Sequence, residues 1–193
     1  MQQRRRIGGA QNARISRDDW IRASLEVLAA GGIEAVRVEP MAKRLGVTKG
    51  SFYWHFADRA ALHDSMLDRW RETATRAIIA RVERTAATPR EKLRRLIALT
   101  TTSGTGARLD IAVRTWANLD ARVADVVAEI DRERMDFIAD LLESIGIDRA
   151  TAAARAQILY LTLIGSFFSL RRGGRLPKRQ LWNELERLSV QRV

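Results

Sequence analysis

Residues 38–56 read Val-Glu-Pro-Met-Ala-Lys-Arg-Leu-Gly-Val-Thr-Lys-Gly-Ser-Phe-Tyr-Trp-His-Phe, and this stretch predicts two short helices joined by a tight turn. From Val38 to Leu45 the apolar residues fall at helical spacing, which gives the first helix one apolar stripe. Gly46 follows the stripe and suits the left-handed conformation that ends many helices. Thr48 is placed to cap the second helix, because its hydroxyl can accept a hydrogen bond from an amide in the first turn.

The second predicted helix buries Phe52 and Phe56, which are four residues apart, and carries polar and aromatic groups on its other faces. That surface comprises Lys49, Gly50, Ser51, Tyr53, Trp54 and His55. It is typical of a recognition helix, which enters the major groove of DNA and meets phosphates on both sides. The alternative is a plain helical hairpin with one polar face.

The composition favours a globular chain of one or two domains without a disulfide framework. Of the 193 residues, 46% are hydrophobic, which is enough for a core, and none is cysteine. Residues 1–14 are basic and polar, so they do not resemble a secretory signal. The longest apolar stretch, residues 156–170, falls short of the roughly 20 residues that a membrane span needs. We therefore expect a cytoplasmic protein with no membrane association.

The positive charge is concentrated at the two ends of the chain. The formal net charge is +11, and residues 1–60 contribute +5 of it, with 11 basic and 6 acidic residues. Residues 61–170 contribute +1, and residues 171–193 contribute +5. A basic end on a nearly neutral body fits a protein that docks on a polyanion such as double-stranded DNA, although the charge could equally serve solubility. Residues 1–15 hold four arginines and are expected to form a flexible basic arm that reaches DNA, or a disordered tail.

Helical spacing of apolar residues continues through the rest of the chain and predicts an all-α fold with nine or ten helices and no sheet. Ser16 is the expected N-cap of the first helix, and Asp58 that of a fourth helix that runs to about Thr85. A loop is expected over residues 102–106. The predicted organisation is a flexible arm at 1–15, a helix-turn-helix domain at 16–62 and a C-terminal ligand-binding and dimerisation domain at 63–193.

One predicted helix, between Ala150 and Leu170, is apolar on two faces and must be buried nearly all round. One face can pack on its own subunit through Leu159, Tyr160, Leu163, Phe167 and Leu170. The other predicts a twofold interface with a second copy, in which the last helix takes part. The predicted interface residues are Ala154, Leu161, Ile164, Gly165, Phe168, Leu181, Trp182 and Leu185. The alternative is a helix at the centre of a monomer.

Three segments resemble the tetracycline-repressor (TetR) family: Leu-Ala-Ala-Gly-Gly (28–32), Met-Ala-Lys-Arg-Leu-Gly-Val (41–47) and Gly-Ser-Phe-Tyr-Trp-His-Phe-Ala-Asp-Arg-Ala-Ala-Leu (50–62). The resemblance implies an all-α homodimer with an N-terminal DNA-binding domain and a C-terminal domain that receives a ligand. It further implies that Tyr53 and His55 contact backbone phosphates, that Lys49, Gly50, Ser51 and Trp54 face bases or the groove wall, that Thr48 caps the recognition helix and that Arg59 binds a phosphate.

The sequence departs from many members of that family at Pro40, which lacks an N–H and is tolerated only in the first turn of a helix. We therefore expect the second helix to begin at about Glu39. Arg37, just upstream of it, is a further candidate for a phosphate contact.

The large residues of the C-terminal helices are candidates for an effector pocket, although each could equally be plain core. They are Met66, Trp70, Leu99, Trp116, Phe137, Tyr160 and Ile164. Few charges fall on these inner faces, so a small and mostly apolar ligand is expected.

We interpret the chain as a ligand-responsive regulator, a repressor that leaves a palindromic operator when an effector binds. The alternative is an architectural, nucleoid-organising DNA-binding dimer of the same fold without an effector. Neither an enzyme nor a metal or cofactor protein is expected, because the chain has two histidines, no HExxH or CxxC motif and no glycine-rich phosphate loop.

Overall fold

The computed structural model describes residues 15–102, 104–169 and 178–190, without the side chains of 102, 105, 169, 178, 179, 181, 182, 188 and 189. These residues are mostly helical, and no strand occurs among them. The helices are α1 (Arg17–Gly31), α2 (Val38–Leu45), α3 (Lys49–Tyr53), α4 (Arg59–Arg71), α5 (Ala77–Thr85), α6 (Pro89–Thr102), α7 (Gly104–Ala117), α8 (Ala121–Ser144), α9 (Arg149–Ser169) and α10 (Lys178–Ser189), with a 3-10 turn at Ile33–Ala35 and a π-turn at Glu72–Arg76. The predicted basic arm, apart from its last residue, lies outside the described part of the chain.

Helix α1 begins as the sequence predicts. The Ser16 hydroxyl accepts a hydrogen bond from the Asp19 amide at 3.2 Å, and the Asp19 carboxylate accepts one from the Ser16 amide at 2.9 Å. This reciprocal pair satisfies two amides at the start of the helix.

Residues at the ends of α2 and α3 determine the shape of the helix-turn-helix. Gly46 ends α2 with φ +70°, a backbone conformation that favours glycine. Pro40 is the third residue of α2, inside the first turn where its missing N–H costs nothing, and α2 begins one residue before the predicted start. Helix α3 is shorter than predicted and ends at Tyr53, but a hydrogen bond from the Phe56 amide to the Phe52 carbonyl at 3.0 Å still brings Phe56 into the core.

Helices α4 and α5 form one rod with the π-turn between them, as the predicted helix from Asp58 to about Thr85 requires. The Asp58 carboxylate caps it by accepting from the Ala61 amide at 2.8 Å. At the other end, Glu91 accepts from the Thr88 amide at 3.0 Å and starts α6. The prediction of a loop over 102–106 was too long, since α7 already begins at Gly104.

Two apolar clusters make up the described core. The first joins α1–α4 to α7 and α8, so it crosses the domain boundary predicted after residue 62. The second lies among α6, α8 and α9, with Leu185 of α10 packed against it. Within the described residues, no helix is long and apolar enough to cross a membrane.

Candidate DNA-binding surface and effector cavity

Helix α3 is anchored on one side and open on the other. Phe52 is fully buried and packs edge-on against Trp20, with ring centroids 5.4 Å apart, and stacks on Phe56 at 5.3 Å. On the opposite side Tyr53 is exposed, and Trp54, which follows the helix, is 89% exposed. The core therefore fixes the orientation of α3 while its aromatic rings stand in solvent.

A basic groove lies between α2 and α3. Arg37, Lys43, Lys49 and Tyr53 line it, together with Glu39 and two apolar residues of α2. The Lys49 ammonium lies 2.9 Å from the Glu39 carboxylate, and both side chains are more than half exposed. An exposed pair of this kind contributes little to stability, so Lys49 can exchange its carboxylate for a phosphate or base at small cost. Lys43 was not selected as a candidate from the sequence. Its position on the polar face of α2 could have indicated that it lines the groove.

Thr48 occupies the N-cap of α3, but its hydroxyl makes no capping bond; this corrects the predicted role of its side chain. Its carbonyl oxygen accepts from the Ser51 amide at 3.0 Å instead. Packing within the chain does not require glycine at position 50, since a Cβ there would meet only the Thr48 hydroxyl at 3.6 Å, an ordinary contact. Room for a closely approaching partner is thus left at the start of α3.

Two predicted phosphate ligands already have partners within the chain. The His55 Nε2 atom lies 3.0 Å from the Ile15 carbonyl oxygen, where the N-terminal segment enters the domain. Arg59 donates to the Ile33 carbonyl at 3.2 Å and to the His63 ring at 3.2 Å. Burial and the positive charge of Arg59 lower the pKa of His63, which suits a neutral ring that accepts. Both residues help to hold α3 and α4 in place, and their phosphate contacts stay a prediction.

A cavity of about 380 Å³ is lined by residues of the π-turn and of α5–α9. Among the predicted pocket residues, Leu99, Phe137 and Tyr160 are on its wall. The full described lining is Thr73, Ala74, Thr75, Ile78, Ile79, Leu93, Leu96, Ile97, Leu99, Thr100, Gly106, Ala107, Leu109, Asp110, Arg134, Phe137, Ile138, Leu159, Tyr160, Leu163 and Phe167.

The other four predicted pocket residues do not line this cavity. Met66, Trp70 and Trp116 belong to the first core cluster, and Ile164 packs against the second. Met66 and Trp70 lie on α4 before the π-turn and pack towards the N-terminal helices. The π-turn presents the next residues, from Thr73 to Thr75, to the cavity.

A buried ionic network forms the polar end of the cavity, contrary to the expectation of few charges there. The Arg114 guanidinium binds both oxygens of Asp131, at 2.9 and 2.7 Å, and also contacts Asp110 at 2.7 Å. Asp110 receives Arg134 on its other oxygen at 3.0 Å. The Tyr160 hydroxyl donates to Asp131 at 2.6 Å. The sequence could have indicated this network, because an aspartate precedes an arginine by four residues on α7 and by three residues on α8.

The protonation of the network follows from its hydrogen bonds and burial. Burial raises the pKa of Tyr160 to about 12, so the phenol keeps its proton. Burial would also raise the pKa of Asp131, but hydrogen bonds from Arg114 and Tyr160 outweigh it and hold that pKa below the ordinary 3.8.

We expect Asp131→Asn to lower the free energy of unfolding at neutral pH by about 1.5–3 kcal/mol, the size of a charged hydrogen bond. Because the folded pKa lies below the unfolded one, this stabilisation is complete above pH 3.8 and is lost as the pH falls further. Urea unfolding at a series of pH values should therefore show the wild type and Asp131→Asn converging in acid. The exposed Asp125 of α8 is the matched control, and an equal loss in Asp125→Asn would contradict the assignment.

Arg134 ties the cavity to the π-turn. It donates to the Thr75 hydroxyl at 2.9 Å and to the Ala74 carbonyl at 3.3 Å, while its guanidinium lies over the Trp70 ring, 5.3 Å from the centroid. Arg71 adds a second tie to α8 through Glu133 at 3.1 Å. A side chain of the cavity wall thus holds the point at which the rod that follows α1–α3 departs from α-helical geometry, a feature often found at functional sites.

The exposed side of α9 carries an apolar stripe, defined here as Ala154, Ile158, Leu161, Gly165 and Phe168. These residues are spaced by four, three, four and three, and each is exposed. Of the remaining predicted interface residues, Ile164 and Leu185 pack against the second core cluster. The side chains of Leu181 and Trp182 lie outside the described part of the chain.

The N-terminal helices match a known protein family. Residues 21–66, which run from α1 into α4, match the family described as "Bacterial regulatory proteins, tetR family". Over these residues the chain is similar to the TetR family.

The curated relatives match this chain over a short segment. The class C tetracycline repressor protein of Escherichia coli is 36% identical over 55 residues, which are 28% of this chain and 25% of that protein. The chain therefore matches about a quarter of the length of this relative.

Solved structures share the fold over nearly the whole chain. A transcriptional regulator from Rhodococcus sp. RHA1 has a TM-score of 0.72 at 22% identity and covers 91% of this chain and 94% of its own. The regulator FadR of Bacillus subtilis, solved in complex with stearoyl-CoA, has a TM-score of 0.67 at 20% identity and covers 92% of this chain and 100% of its own. At these identities the likeness shows the fold alone.

Proposed function

We propose that this chain is a homodimeric transcriptional repressor of the TetR family that leaves a near-palindromic operator when a small, mostly apolar molecule fills its cavity. One observation carries the proposal: a single helical rod leads from the DNA-binding head, defined here as α1–α3, to the cavity and forms part of its wall. The Arg134 contacts to Ala74 and Thr75 fix the rod at that wall.

The head has the properties of a DNA-reading surface. The exposed Tyr53 and Trp54 and the basic groove beside them face outward from a rigid aromatic core. Arg37 and Lys43 of the groove suit phosphates, whereas Lys49 and Ser51 at the start of α3 suit base edges in the major groove.

The apolar stripe on α9 supports pairing with a second copy. Large apolar side chains exposed in a row mark an interaction surface, and spacing by four and three is the pattern with which helices interdigitate. The small residues Ala154 and Gly165 allow two α9 helices to approach closely. A twofold dimer would then hold two copies of α3 at one fixed separation, as a palindromic operator requires.

The geometry of the rod explains how ligand binding would release the operator. A ligand in the cavity meets Thr73, Ala74 and Thr75 directly, so a ligand that fits better with the π-turn displaced favours a different orientation of α4. Couplings of this kind are typically about 1–3 kcal/mol, equivalent to a loss of roughly 5- to 150-fold in operator affinity.

The cavity favours a regulator over an architectural DNA-binding protein, which would have no use for it. An effector with a large apolar part is in keeping with two neighbours of the same fold, one solved with stearoyl-CoA, whose acyl chain is apolar, and one named a ketosteroid transcriptional regulator. The described lining here is likewise apolar apart from its polar end.

Selection of bound duplexes from a random pool, followed by a release screen with apolar small molecules, tests the proposal. We expect enrichment of one near-palindrome whose half-sites lie about one helical turn apart, and release by a subset of the molecules. Absence of enrichment at moderate salt would overturn the proposal. Enrichment of DNA that no molecule releases would favour the architectural alternative.

A further inference from the structure

We infer that the cavity selects an uncharged ligand: an apolar molecule with one hydroxyl or carbonyl group, seated against Asp110 and Arg134. It discriminates against the carboxylate with the same carbon skeleton. This inference rests on the proposed function in one respect, that the cavity is the effector site.

The charges that face the cavity are already balanced. Asp110 and Arg134 are the charged residues of the described lining, and their side chains are only 5% and 14% exposed. Behind them, Arg114 and Asp131 complete a set of two guanidinium groups and two carboxylates around the neutral Tyr160 phenol. The network therefore has no net charge, and a charged ligand would bring one that nothing in it matches.

The same network offers hydrogen bonds to a neutral group. Arg134 has five N–H donors, and its bonds to Thr75, Ala74, Asp110 and Tyr160 leave one Nη2 hydrogen without an acceptor among the described residues. Each Asp110 oxygen accepts one guanidinium and has a further lone pair. A ligand hydroxyl can use both groups, and a ligand carbonyl can use the arginine.

The rest of the described wall is apolar or carries threonine. A charged ligand group placed against that part of the wall would be solvated even less well than one beside Asp110 and Arg134. An isolated ionised group in such surroundings is costly, and a carboxyl group there takes up a proton instead. A fatty acid would thus enter in its protonated form, and its apparent affinity should fall about tenfold for each pH unit above its own pKa.

Calorimetric titration with decanol and decanoic acid, between about pH 6 and pH 8 and without DNA, tests this selection. We expect the decanol affinity to be independent of pH, which also controls for titration of the protein's own histidines. The decanoic acid affinity should fall about 100-fold over the same range. Equal and pH-independent affinities for the two probes would overturn the inference, and so would the failure of both to bind.

Asp110→Asn gives the sharper result, because it keeps the shape of the side chain and leaves the network with one positive charge. Decanoate should then bind with a pH-independent affinity at least equal to that of decanol. Asp125→Asn, with the same charge change at an exposed site on α8, should keep the wild-type discrimination. If circular dichroism shows that Asp110→Asn has lost its helices, Asp131→Asn adds the same charge without altering the lining. Unchanged discrimination in a folded network variant would overturn the inference.

The experiments distinguish a failure of the proposed function from a failure of the ligand selection. Binding of decanol by a protein that enriches no DNA would overturn the proposed function and leave the ligand selection intact. Operator release by molecules that bind equally well as carboxylates would do the reverse.

Discussion

Leu161→Arg is expected to convert the protein to a monomer and to reduce operator affinity by at least about 100-fold. Leu161 is 59% exposed in the middle of the apolar stripe on α9. In a twofold interface the substitution occurs twice, so two like charges would be buried close together with no partner, at a cost of several kcal/mol. A protein that has lost its dimer also loses simultaneous contact with two half-sites.

Sedimentation equilibrium measures this effect directly, because the chain has a mass of 21.8 kDa and the dimer twice that. Leu119→Arg is the matched control, since Leu119 is 71% exposed outside α9. It should stay dimeric and bind DNA normally. A Leu161→Arg protein that keeps the wild-type mass would show that the stripe is not the interface.

Trp54→Ala is expected to reduce operator affinity by about 100-fold or more while leaving stability nearly unchanged. With 89% of its surface exposed, Trp54 contributes little to the core, and exposed substitutions usually change stability by less than about 0.5 kcal/mol. Each half-site would lose a contact of about 1–3 kcal/mol, and the dimer has two half-sites. Fluorescence anisotropy with the selected operator and thermal unfolding together separate the two effects.

The neighbouring residues sharpen that measurement. Phe52→Ala should unfold the head, since removing a buried phenylalanine costs about 3–5 kcal/mol. Tyr53→Ala should weaken binding to all sequences alike, whereas Lys49→Ala should change the preference among them. Unaltered affinity in Trp54→Ala, or in a double Lys49→Ala, Tyr53→Ala variant, would refute the placement of this surface on DNA.

The head was predictable from the sequence because local chemistry determines it. Gly46 at positive φ, the Asp58 cap and the aromatic pair of Phe52 and Phe56 each act within a few residues of the chain. The two apolar faces of α9 were predictable for a similar reason, since helical periodicity alone separates the buried Tyr160 side from the exposed stripe.

The cavity and its network were not predictable in the same way. The π-turn at Glu72–Arg76 contains neither glycine nor proline, and the Arg134 contacts that hold it come from a distant part of the sequence. Apolar spacing also cannot tell a cavity wall from solid core. Leu99 and Phe137 therefore line the cavity, while Met66 and Trp116, which were predicted from the same kind of pattern, belong to the core.

The measurement that tests the central claim most directly is the distance between the two DNA-binding heads. The chain has no cysteine, so Ala57→Cys, at an exposed position between α3 and α4, accepts a single spin label per subunit. On the selected operator, pulsed electron paramagnetic resonance should give one narrow distance near the roughly 34–36 Å that separates successive major grooves. The molecule that releases the operator in the screen should shift or broaden that distance. Absence of any coupling between labels, or a distance that neither DNA nor the releasing molecule alters, would contradict the account.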